Sequence, residues 1–504
     1  MVVSAIDGPR PSRGYVLYAL ALLASINLLS YINRNVIFAL FEPIKHDLHL
    51  RDAHLGWLGS AYVLVFSLAA LPFGIASDLR SRRAVIAWGV SVWSVFTVLC
   101  GLVQSFWPLF VCRAAVGVGG AAFGAASASL VADFFPGKNR AAAMGVLAAG
   151  IAVGGVLGIW VGGAIESAYG WRAAFALVGL PGIPAAMLVA RLKDPSRQPA
   201  RVQLRKSLHE VGMGVSTVAR HCAPLLLGLL VGSIAAFLLD QRYGASSALD
   251  TAAFGAAAGL GVAFNIRRWV RLVRAAPAGW PASGPMSGAL DDLMRAGATV
   301  LATPTLVYIF IGGALISFGL NGIVGWAPTF MSRELGLRVG TVTALLGKWG
   351  LVVGTLGTLT GGLVADGLSR YTRRARVLTV SMGFILGAPL AIWLLTIRDL
   401  HQFVPVFCAA FFFLTWYSGP IAAVIFDVVP SKIGATVAGA YLMFIHLAGD
   451  TIAFPLVGIL SDRFGIHRAV MVLPLAALLG GLVVLGAART VTRDMARTEA
   501  LPAA

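Results

Sequence analysis

Gly74-Ile75-Ala76-Ser77-Asp78-Leu79-Arg80-Ser81-Arg82-Arg83 ends a long apolar run and opens a basic loop. Far down the chain Gly362-Leu363-Val364-Ala365-Asp366, followed by Arg370, Arg373 and Arg374, does the same. A second pair of landmarks answers the first. Gly163-Ala164-Ile165-Glu166-Ser167-Ala168-Tyr169-Gly170-Trp171-Arg172 has its counterpart in Gly458-Ile459-Leu460-Ser461-Asp462-Arg463-Phe464-Gly465-Ile466-His467-Arg468. Both pairs fall at matching ordinal positions in a series of apolar runs, so the chain reads as two related halves.

The runs are the length that carries a helix across a hydrocarbon core of about 30 Å. They lie at roughly 15–40, 54–77, 84–104, 108–133, 141–165 and 172–192, then at 304–330, 340–365, 377–397, 402–428, 433–460 and 469–488. With 58% hydrophobic and 12% charged residues among 504, the chain has more apolar surface than a soluble fold hides, and lipid must cover the rest. The expected fold is an all-α integral membrane protein of two six-helix bundles. The halves are 1–193 and 304–504, with an insert at 194–303. Within the insert, 223–239 and about 248–266 are shorter apolar runs joined by Asp240-Gln241-Arg242-Tyr243-Gly244. They predict an added hairpin, giving fourteen spans. Arg267-Arg268-Trp269-Val270-Arg271-Leu272-Val273-Arg274 follows, with cations and apolar side chains interleaved at helical spacing. That pattern suits a helix lying at the interface, or plain flanking charge. Residues 275–295 read as a linker.

The formal net charge is +18, yet its placement does not indicate nucleic acid. Lys and Arg concentrate in alternate loops, so by the positive-inside rule both termini are cytoplasmic, in a multi-pass protein expected in a bacterial inner membrane. Membrane lipids are the partners this charge suggests. Cys100, Cys112, Cys222 and Cys408 lie in or beside apolar runs without paired spacing, which disfavours a disulfide framework or a metal site. Neither Gly137-Lys138 nor Gly347-Lys348 belongs to a phosphate-binding loop, and His209-Glu210 lacks the second His of a zinc protease. The expectation is a monomeric transporter rather than an enzyme, with no cofactor and no metal.

The Gly-x-x-x-Asp element with its basic cluster resembles the loop signature of the major facilitator superfamily. The resemblance covers all twelve core spans and implies alternating access between two bundles. It assigns Gly74, Asp78, Arg82, Asp366 and Arg370 to a gate, Gly74 allowing close helix approach and Asp78 bonding across to basic groups or a helix end. Gly150, Gly154, Gly158 and Gly162 form a side-chain-free ridge on the fifth span, suited to tight packing.

A closer similarity is to the Spinster branch, the lysolipid and sphingolipid transporters. It is carried by Asn27-x-x-x-Tyr31-x-Asn33-Arg34, Arg113-Ala-Ala-Val-Gly117-Val-Gly119, Gly325-Trp326-Ala-Pro328 and His446-Leu-Ala-Gly449-Asp450-x-x-x-x-Pro455-x-x-Gly458-x-x-x-Asp462. Two departures matter. Where the family pattern has an Asp before the span-one Arg this chain has Asn33, and where it has Gly-Glu-Ala it has Gly119-Gly120-Ala121.

Three cations, Arg34, Arg113 and Lys348, therefore lie inside apolar spans, and Asp450 is the one carboxylate placed deep in a span. Insertion scales set the cost of each such cation at roughly 2.5–3.5 kcal/mol, so each needs a partner or a polar cavity. Either they contact an anionic solute, or the arginines bond helix carbonyls and Lys348 snorkels. Tyr31, Asn33 and Asn321 join them as candidate substrate contacts. His446 and Asp450, four residues apart on one helix face, are candidates for proton coupling or gating. The solute classes that fit are an amphipathic anion, such as a lysophospholipid or a sphingoid phosphate, and a small organic anion, such as a sugar acid or carboxylate. A transporter-like sensor is the third reading.

Overall fold

The computed structural model describes residues 12–79, 81–135, 139–192 and 296–500, with scattered positions between 223 and 271. Among them twelve helices are long and apolar enough to cross a membrane. Spans one to six are Arg13–Ala39, Asp52–Ala70, Arg82–Cys100, Phe106–Phe134, Ala142–Tyr169 and Trp171–Ala190. Spans seven to twelve are Pro304–Glu334, Val339–Ser369, Ala375–Leu394, Leu400–Asp427, Ile433–Phe464 and Ile466–Arg489. The expected six-plus-six architecture is the one observed. Helices suit such a chain because each satisfies its own backbone groups where no water can.

The repeat extends to detail. Span five runs on to Tyr169 and turns into span six at Gly170, where φ is +82°; span eleven turns into twelve at Gly465, where φ is +81°. Only glycine takes that backbone without strain, which explains its presence at both corners. Arg82 pairs with Asp133, 51 residues on, and Arg376 pairs with Asp427, also 51 residues on. Each half thus ties the start of its third helix to the end of its fourth.

The glycine ridge of span five meets the backbone of span one. A Cβ on Gly154 would lie 2.6 Å from the Leu28 carbonyl oxygen, and one on Gly158 would lie 2.7 Å from that of Ile32. No side chain fits between helices this close. Span eleven is interrupted by a single π-helical turn, His446–Asp450. Such turns rotate the helix face locally and recur at functional sites.

An even number of spans brings both ends of the chain to one side, here called the terminal side; the other is the far side. On the far side the halves are in contact. A Cβ on Gly340 would meet the Ser167 hydroxyl at 2.4 Å, one on Gly56 the Phe454 carbonyl oxygen at 2.3 Å, and one on Gly458 the Asp52 carbonyl oxygen at 2.3 Å. Towards the terminal side Gly74, Gly145, Gly362 and Gly367 have open space at the Cβ position. The close glycine contacts between the two bundles thus lie at the far side.

Residues Pro199–Ala302 form a separate compact unit. Its described positions in 223–235 and 253–271 are helical, and a Cβ on Gly228 would lie 2.6 Å from the Ala257 carbonyl oxygen and 2.8 Å from Gly261 Cα. The two runs read as a hairpin thus pack against each other; their connecting turn at Asp240–Gly244 lies outside the described residues.

Candidate functional site

Asp450 is fully buried on span eleven and accepts hydrogen bonds from three side chains. His446 Nδ1 lies 2.7 Å from its Oδ2. Asn321 Nδ2 donates to its Oδ1 at 3.0 Å, and the Ser317 hydroxyl donates to the same oxygen. The guanidinium of Arg34, from span one of the other half, completes the cluster 3.5 Å from Oδ2. Ser317 and Asn321 are four residues apart on span seven, so they present one face, and Asn321 also donates to Ser317 Oγ at 3.1 Å. A carboxylate with this many donors is stable in a dry interior, whereas an unpaired one is not.

Arg34 sits between aromatic faces, 5.8 Å from the Tyr31 ring centroid and 5.6 Å from that of Tyr62. Its side chain retains 14% exposure. Arg34, Tyr62 and Asn321, with Phe38, Val324 and Phe454, line a cavity of ≈ 20 Å³, room for about one water and for no larger solute.

Arg113 is placed differently. It is fully buried and donates to the carbonyl oxygens of Asn33 at 3.2 Å and Arg34 at 3.0 Å. Among the described residues no carboxylate lies within ion-pair distance of it. Of the readings left open by sequence, helix-carbonyl bonding is the one this geometry takes. Asn33 likewise faces inward, accepting from Thr97 Oγ1 at 2.6 Å and donating to the Val178 carbonyl at 3.5 Å. Neither side chain lines the cavity. Lys348 is exposed on span eight, its Nζ 5.3 Å from the Trp349 ring centroid. Two residues of the cluster, Ser317 and Tyr62, are absent from the sequence-based candidates. Ser317 has a signal in hindsight, its i, i+4 spacing to Asn321; Tyr62 has none.

The departures from the Spinster pattern acquire a physical setting. A Cβ on Gly120 would lie 2.4 Å from the Tyr62 hydroxyl, so tyrosine fills the space a side chain there would need. Among the described residues, Asp450 is the only carboxylate within ion-pair distance of Arg34.

A second charged cluster bridges the halves at the far side. Asp52, at the start of span two, accepts from Lys45 at 2.7 Å, from both terminal nitrogens of Arg333 on span seven at 2.6 and 2.8 Å, and from Ser461 on span eleven at 2.6 Å. Arg333 Nε also reaches Glu42 at 2.8 Å. In return Asp462 accepts from the Asp52 and Ala53 amides at 2.9 and 3.0 Å, a carboxylate cap on the N-terminus of span two. The described residues expected at the gate stand elsewhere. Arg82 bonds Asp133 within its own half, Asp366 and Arg370 are exposed, Gly74 faces open space, and the side chain of Asp78 lies outside the described residues. In this conformation the described residues latch the halves at the far side.

Two bundles of six spans, closed at one end over a buried charged cluster to which both contribute, define a membrane carrier fold. The chain belongs to the Major Facilitator Superfamily, whose family profile matches residues 23–451. It is 24% identical over 485 residues to an MFS-type efflux pump of Mycolicibacterium smegmatis, covering 95% of this chain and 93% of that protein. Over 510 residues it is 22% identical to Protein spinster homolog 1 of Xenopus tropicalis, covering 95% and 81%. Its fold matches a crystal structure of a bacterial homologue of the human lysosomal transporter Spinster, in an inward-facing and occupied conformation, with a TM-score of 0.71 at 20% identity, covering 96% of this chain and 99% of that one. The resemblance to the Spinster branch is borne out, and these relatives are transporters rather than enzymes.

Proposed function

We propose that this chain carries an amphipathic anion, such as a lysophospholipid or a sphingoid phosphate, by alternating access, with the terminal side facing the cytoplasm. The observation that carries the reading is the Arg34–Asp450 pair, joined across the two halves. An anionic headgroup that reaches the cluster when the halves part competes with Asp450 for Arg34. As it does so, Asp450 is left to its neutral donors and to His446, and a proton taken up there balances the lost cation. Binding, the cross-half contact and protonation are then one linked event.

Span eight supports the amphipathic part of the reading. Lys348, Val352, Leu356, Leu359 and Leu363 are exposed and share one face at helical spacing, opposite the face on which Gly354 and Gly357 approach Phe411 and Phe412 of span ten. A mid-span lysine is costly in lipid, and a cavity wall relieves that cost. Such a wall offers a cation for a headgroup and an apolar stripe for a tail. Transport by rocking of the halves around Arg34 follows the same logic as other carriers built from repeats.

Binding of a radiolabelled lysophospholipid to the purified chain tests this. The wild type is expected to bind it and Arg34→Ala to lose at least about tenfold in affinity, the contribution of one charge-assisted contact. Retained affinity in that variant overturns the site. Binding of short carboxylates, with none of lysophospholipid, would point instead to a small organic anion.

A further inference from the structure

The inserted unit carries a groove of its own. Leu260, Phe264, Arg268 and Arg271 recur at helical spacing, so they stand on one face of one helix, and Ala223, Leu227 and Val231 of the partner helix form the opposite wall. Leu227 is 61% exposed, Val231 50%, Leu260 61% and Phe264 57%. These are large apolar side chains on a pair of helices whose close approach, at Gly228 and Gly261, leaves the groove beside it uncovered. Arg268 and Arg271 close the apolar channel at one end, and both are exposed. From Leu260 to Arg271 the face runs about 16 Å at the helical rise of about 1.5 Å per residue, half of a hydrocarbon core of about 30 Å.

We infer that this groove is a binding site for an anionic phospholipid of one leaflet, its acyl chain laid between Leu227, Val231, Leu260 and Phe264 and its phosphate held by Arg268 and Arg271. The chemistry is one-directional: apolar at Leu260 and Phe264, then cationic at Arg268 and Arg271, the whole within the depth of a leaflet. Two guanidiniums at adjacent turns suit a phosphodiester, which accepts paired N–H donors. A zwitterionic lipid fills the channel but returns less, because its own ammonium opposes the arginines. The site is distinct from Arg34 and Asp450 and makes lipid a bound component of the carrier as well as its surroundings.

Native mass spectrometry of the full-length chain in detergent, titrated with phosphatidylglycerol or phosphatidylcholine, tests the assignment. The wild type should retain phosphatidylglycerol in preference. R268Q/R271Q should weaken that adduct by about 25-fold, roughly fivefold per surface arginine, and leave phosphatidylcholine unchanged. R268K/R271K should keep the preference, which separates lost charge from lost folding, and Phe264→Ser should weaken both lipids alike. Unchanged phosphatidylglycerol affinity in R268Q/R271Q, or no preference in the wild type, overturns the proposal. So does exclusive retention of monoacyl lipid, which would make the groove a solute site.

Discussion

Arg34 is partly buried and Arg113 fully buried in the N-terminal half, and their partners separate their roles. Arg113 spends its donors on the carbonyls of Asn33 and Arg34, tying span four to span one. Among the described residues Arg34 has Asp450 and two aromatic faces, interactions a competing anion can replace. Arg113→Ala is therefore expected to lower stability by about 3 kcal/mol, from the cavity and the carbonyls left unbonded. Thermal unfolding in detergent checks it. Arg34→Ala should cut solute binding by at least about tenfold, because its charge is the part the solute uses, and should also lower the unfolding temperature, because buried Asp450 loses its cation. The pair His446 and Asp450 was legible from their spacing alone. Which way Asn33 faces was not: hydropathy carries no information about rotation around a helix axis, and only Thr97 and Val178, from spans three and six, decide it.

At the scale of elements, what sequence carries best is length and punctuation. Twelve apolar runs of spanning length, the glycine ridge of span five and the corner glycines Gly170 and Gly465 were all readable because each answers a local demand of the backbone. The π-helical turn at His446–Asp450 was not, since it depends on how span eleven packs. There Ser60 of span two donates to the Thr451 carbonyl at 2.8 Å, just beyond the turn. The ridge makes a sharp test. In Gly154→Leu the new side chain must displace the backbone of span one, where a Cβ alone would stand 2.6 Å from the Leu28 carbonyl oxygen. Overpacking of that kind costs about 1–3 kcal/mol, so a lower unfolding temperature together with lost transport is expected. Gly145→Leu, on the same helix but facing open space, should keep the wild-type unfolding temperature.

For the whole molecule the issue is how closure alternates between the two ends. The latch of Asp52, Arg333, Glu42 and Asp462 joins residues hundreds of positions apart, and such pairings leave no trace in local pattern. Removing it by Arg333→Gln should shift the population towards the opposite opening. Cross-linking between Ser167→Cys and Gly340→Cys reports this. Those positions touch across the far side, so oxidation should join them in the otherwise wild-type chain, block transport, and release it on reduction. In the Arg333→Gln background the cross-link should form more slowly.

Solute movement coupled to Asp450 is the claim on which the rest depends. Flux of radiolabelled lysophospholipid in proteoliposomes, with and without an imposed pH gradient, measures it directly. The wild type should respond to the gradient, and Asp450→Asn should move solute with no gradient dependence or not at all; an Asp450→Asn protein that follows the gradient as the wild type does would contradict the account.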